Sequence, residues 1–91
     1  MNQNRRSELK DVIEMLNDTM EILNDANEFL YNIANDEQDA FDNLPEGLQG
    51  SERGEQMEEN VGEIENAASE IDNLINGVEN IITSLETIIE K

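Results

Sequence analysis

The chain has 91 residues, with 23 acidic and five basic side chains, no histidine, no cysteine and a net charge of −18. Without cysteine there is no disulfide and no thiolate metal site, and without histidine the usual nucleophile–base and zinc constellations are missing. The length predicts one small domain, while so large a charge opposes compaction and makes disorder the alternative to a fold.

Apolar periodicity argues against disorder. The leading residues Met1-Asn2-Gln3-Asn4-Arg5-Arg6 are polar and carry no signal-peptide core, and no apolar run approaches the length of a membrane span. A cytoplasmic protein is expected. From about residue 7 to 43, Leu9, Ile13, Leu16, Met20, Leu23, Leu30, Ala34 and Phe41 mark a seam of alternating four- and three-residue steps, interrupted by Asn27 and Glu37. This is the heptad pattern of a helix that packs on another helix. A second apolar strip runs beside it: Val12, Met15, Ile22, Ala26, Phe29 and Ile33.

The stretch FDNLPEGLQGSERGE, starting at Phe41, breaks the rhythm and holds the only proline of the chain. Pro45 disfavours helical geometry at Leu44, so helix 1 is expected to stop near Asn43. Leu44-Pro45-Glu46-Gly47 suits a reversing turn with proline second, within a turn segment over 44–50. Ser51 is a good N-cap for a second helix over about 51–90, and Glu52 and Glu55 suit its positive end. Gly54 stands where a full capping box would carry glutamate. Read as a calcium loop, the segment from Asp42 to Arg53 fails at Leu44 and Arg53, which supply no carboxylate where one is needed.

The second half repeats the logic of the first. Met57, Val61, Ile64, Ala68, Ile71, Ile75, Val78, Ile82, Leu85 and Ile89 form a heptad seam, which Ala67, Leu74, Ile81 and Ile88 widen on one side. If the chain folds back at the corner, facing layers have position numbers with a constant sum. Leu9 with Ile89, Ile13 with Leu85, Met20 with Val78, Leu30 with Ala68 and Phe41 with Met57 all obey that rule. The fold class is therefore all-α: a long antiparallel two-helix hairpin, coiled-coil-like. Asn27 falls opposite Ile71 and Glu37 opposite Val61. A buried polar residue of this kind sets register or oligomeric state, with ligand binding as the other reading. One hairpin buries little core, so the strip Val12, Met15, Ile22, Phe29 and Ile33 is expected to close a homodimeric four-helix bundle or to dock another protein.

The charges are segregated. Arg5, Arg6, Lys10 and Lys91 lie at the open end of the hairpin and Arg53 at its tip. Glu14, Glu21 and Glu28 share one heptad position, Asp18, Asp25 and Asp39 a second, and Glu65, Asp72, Glu79 and Glu86 a third. Each row repeats about every 10.5 Å along its helix. A thin hairpin offers no pocket to tune a carboxylate, and the phosphate-loop and dinucleotide signatures are missing. No enzyme, cofactor or metal site is expected. The sign of the charge excludes direct nucleic-acid binding. A solvated face is the plain reading of the rows. The sharper one is mimicry of a nucleic-acid backbone, aimed at a basic nucleic-acid-binding host protein. At the tip, Leu48 and Arg53 are candidates for a recognition knob. Alternatively, Leu48 closes the bundle end with Phe41 and Leu44, and Arg53 pairs locally.

The run DEQDAFDNLPEGLQGSERGEQMEE, Asp36 to Glu59, resembles a segment shared by small acidic proteins of phages and prophages, which carry helical heptads on both sides of a DNLPE–SERGE corner. In broader outline the chain is similar to phage anti-defence proteins, many of them tiny, acidic and free of cysteine. The resemblance implies the cytoplasm of a host cell and a target such as a CRISPR effector, a restriction enzyme, a nuclease or a polymerase subunit. The alternatives are a structural or assembly module that oligomerises other proteins without mimicry, and an acidic chaperone for a basic partner.

Overall fold

A computed structural model describes every residue from Met1 to Lys91. It contains α1 (Gln3–Asp42), α2 (Glu46–Gln49) and α3 (Glu52–Glu90). The long helices α1 and α3 lie antiparallel against each other in a rod of 69 × 14 × 13 Å. The fold is the all-α helical hairpin that the two seams require. Helix α1 begins at Gln3 rather than near residue 7, because the Asn2 side chain accepts a hydrogen bond from the Arg5 amide at 2.9 Å. That cap lies in the polar leader, where no apolar heptad could reveal it.

The core follows the seams position by position. Every seam residue of both helices is buried or half-buried, and Ala34, Val61, Ala68, Ile75 and Ile82 are the buried apolar ones. Small residues sit at the closest approach: Ala68 is fully enclosed opposite Leu30, and Ala34 nearly so opposite Ile64. Yet no large side chain is fully buried. Each helix has one neighbour, so each apolar knob is covered on one side only.

Both polar layers form hydrogen bonds across the hairpin. Asn27 Nδ2 donates to Asp72 Oδ1 at 2.6 Å, while the Asn27 Oδ1 is buried without a partner. Asn60 Nδ2 donates to Glu37 Oε2 at 2.9 Å, which draws the carboxylate off the seam and leaves Val61 in it. These bonds tie residues of the two helices at fixed levels and so oppose sliding of one helix along the other.

The corner differs from the turn read in the sequence. Pro45 does not occupy the second position of a reversing turn over 44–47. It precedes a single helical turn, α2, and its carbonyl accepts from the Leu48 amide at 2.8 Å and the Gln49 amide at 3.2 Å. Gln49 Nε2 then reaches back to the carbonyls of Leu44 (3.2 Å), Phe41 and Asp42 (both 3.5 Å). These carbonyls lie at and just beyond the end of α1, where acceptors outnumber backbone donors; that of Phe41 also accepts from the Leu44 amide at 3.0 Å. Ser51 caps α3, accepting from the Gly54 amide at 3.3 Å. The glycine the corner depends on is Gly54, not Gly47 or Gly50. A Cβ there would stand 2.1 Å from the Gln49 carbonyl oxygen and 2.8 Å from that of Leu48. The capping-box glutamate is missing because the preceding backbone passes through its place.

Candidate partner-binding surfaces

The apolar strip of α1 is uncovered. Met15 is 66% exposed, Ile22 68% and Phe29 69%, with Val12 and Ile33 also exposed. The row Leu74, Ile81 and Ile88 of α3 does not widen the hairpin core as its spacing suggested. Leu74 is 58% exposed, and all three are open to solvent. The two rows lie on one side of the rod. Ile33 and Ala67 line a single open groove of about 480 Å³ with Leu30, Ile64 and Asn60 and with the carboxylates of Asp36, Glu37 and Glu63. The heptad repeat carries this pairing along the rod, so Leu74 lies level with Ala26, Ile81 with Thr19 and Ile88 with Val12. The result is a two-helix apolar face about 32 Å long, from residue 12 to residue 33 at 1.5 Å per residue. A sequence reading that follows one helix at a time finds each row but not the shared face.

The acidic rows occupy the other broad side. Glu14 and Glu86 line a second groove with Lys10, Ile13, Ile89 and Glu90. The heptads place Glu21 level with Glu79, and Glu28 level with Asp72, whose height is fixed by its bond to Asn27. Thus the row of α1 and the row Glu65, Asp72, Glu79 and Glu86 of α3 flank the same seam. Asp18 and Asp25 turn outward on the back of α1, where Asp25 and Glu28 share a hollow with Phe29. All nine of these carboxylates are exposed. They form ladders rather than knots, and no three acidic side chains converge to hold a metal ion. Tyr31, also exposed, shares the heptad position of Lys10 and therefore lies on this acidic side. Sequence reading passed over it because a lone aromatic outside the seam carries no periodic signal.

At the tip, Phe41 and Leu44 are half-buried, whereas Leu48 and Arg53 are exposed. Gln49 and Gly54 pin the loop that carries them, so the two exposed side chains stand on a fixed backbone. No helix of the rod is long and apolar enough to cross a membrane. No family model matches the chain, and no curated protein or solved structure matches it.

Proposed function

We propose that the protein is a non-enzymatic acidic interaction protein that binds a basic, nucleic-acid-handling protein and inhibits or modulates it. One observation carries this reading: two carboxylate rows from different helices flank one seam, level by level, with no basic side chain between Asp11 and Glu52 or between Gly54 and Glu90. Helical surfaces ordinarily intersperse lysine with glutamate in stabilising pairs. This surface forgoes such pairs and concentrates negative charge on a stiff rod. A rod of that kind can enter a cleft built for a nucleic-acid backbone, with fast and steeply salt-dependent association. The likeness of the corner to phage proteins makes a host defence enzyme of the CRISPR or restriction type the first target class to examine. Tyr31 and the tip residues Leu48 and Arg53 would supply side-chain contacts that a plain charge ladder lacks.

The test is capture from host extract at low and high salt, with and without competing DNA. Under this reading, basic nucleic-acid enzymes are retained at low salt and released by salt or by DNA. A variant with Glu65, Glu79 and Glu86 all changed to lysine, and Asp72 kept because it bonds Asn27, loses them. Retention by that variant sinks the mimicry reading. The exposed apolar face favours a second reading, an assembly module that works through helix packing. It predicts a partner that resists salt, ignores DNA and is lost on Phe29→Asp.

A further inference from the structure

We infer that the apolar face binds a second copy of this chain, α1 against α1 and α3 against α3, with the two tips at opposite ends of a four-helix rod. The inference does not depend on the partner reading above. The first argument is charge. On a molecule of charge −18, the face from Val12 to Ile33 on α1 has no charged side chain at its outward positions. On α3, Glu70 flanks the row from Ala67 to Ile88, and the other acids of this side, Glu63, Asp36 and Glu37, gather around Ala67 and Ile33 at the end of the face nearest the tip. Along the rest of the face a basic partner would find only Glu70 to pair with, whereas an identical face meets its own kind.

The second argument is symmetry. A closed dimer uses the same patch twice, so the patch must be self-complementary. The apolar row of α1 is centred near Ile22 and that of α3 near Gly77, and the hairpin register sets these two residues side by side. One twofold axis across the rod therefore serves both helices. Around it, Phe29 of one copy falls level with Met15 of the other, Val12 with Ile33, and Gly77 with Gly77. Gly77 adds an independent observation. A Cβ there would meet nothing within 4 Å in the hairpin, so the hairpin itself gives no reason for a glycine in mid-helix. Close approach of a second helix supplies one. Gly62, on the outer side, is equally open and has no such account.

The third argument selects the orientation. Arg5, Arg6, Lys10 and Lys91 cluster at the open end, while the tip half carries acids on both helices. Opposed tips bring Arg5 of one copy toward Asp36 of the other and Lys91 toward Glu63. Tips at the same end would stack acid on acid. The apolar face, about 32 Å of the rod's length and 14 Å wide, presents on the order of 450 Å² in projection, and the charged ends that meet on either side of it bring the contact toward the roughly 800 Å² per partner of a stable interface.

The chain lacks cysteine, so one label site can be introduced cleanly, and Gly47 has open space around it. The experiment is sedimentation equilibrium of the full chain, together with a spin-label distance on Gly47→Cys. A mass twice 10.3 kDa is expected. The tip-to-tip distance is expected to be on the order of 70 Å from 1.5 Å per residue. Ile22→Asp should weaken self-association by about 100-fold or more, because the buried carboxylate would lack a partner. Reversal of Glu65, Glu79 and Glu86, with Asp72 kept, should leave the dimer intact. The dimer should persist in high salt, where capture of a basic partner fails, so the two proposals can fall separately. A monomer at all concentrations, tips within about 25 Å of each other (a few helix diameters), or an unaffected Ile22→Asp dimer would overturn the inference.

Discussion

The two broad faces of the rod are built on the same heptads and flank the same seam, yet one is a ladder of carboxylates and the other a sheet of aliphatic and aromatic side chains. Apart from Asp72, which bonds Asn27 across the seam, neither face is needed to define the hairpin, whose seam is satisfied between them. The difference shows that outward heptad positions were free to be assigned to other tasks. Here they divide charge from apolar surface across a rod only 13–14 Å thick. Such a division is costly in a lone hairpin, which leaves Phe29 and Ile22 in water and collects like charges with little local relief.

The largest expected effect breaks the acidic side alone. Changing Glu65, Glu79 and Glu86 to lysine, with Asp72 kept as the partner of Asn27, should reduce capture of a basic partner by at least about 100-fold, a loss of roughly 2.7 kcal/mol or more. Circular dichroism of the same variant should show undiminished helix. A collapse of helicity would mean that the row belongs to the fold rather than to a partner. Next is Gly54→Ala, which severs the corner that holds the two faces back to back. A mid-helix alanine is ordinarily better than glycine by about 1 kcal/mol. Here its Cβ would overlap the Gln49 carbonyl at 2.1 Å, so the melting temperature should fall instead. The expected loss is on the order of 3 kcal/mol. A rise would show that α2 moves aside without penalty.

Ala68→Leu tests the seam itself. The site is fully enclosed, so the added methylenes should force the helices apart and cost about 1–3 kcal/mol in denaturant unfolding. Asn27→Leu should act the other way and stabilise by about 1 kcal/mol, since it removes a buried acceptor with no partner. It should also loosen the register, seen as a second population in spin-label distances between α1 and α3. The smallest effect is Gly62→Ala, a substitution into open space that should raise stability by about 1 kcal/mol and leave both faces untouched. Added salt should raise the melting temperature of the unaltered chain, because screening relieves the repulsion among its carboxylates.

Most of the fold was legible in the sequence, because a coiled-coil seam is written in single positions. A four-and-three apolar rhythm in each half, with a proline between, determines two helices, their facing edges and the layers that meet. Leu30 opposite Ala68 and Ala34 opposite Ile64 follow from counting alone. The candidate surfaces were legible only by halves. Glu14, Glu21 and Glu28 could be seen as a row, and so could Leu74, Ile81 and Ile88. Which rows of α1 and α3 share a side depends on the rotation of each helix about its axis, and only the packed hairpin sets that. The tertiary structure also decided the corner. Pro45 forbids a continuous helix but does not say what replaces it. The close passage of the Leu48 and Gln49 carbonyls over Gly54 is a contact in space, between residues whose nearness no periodicity encodes.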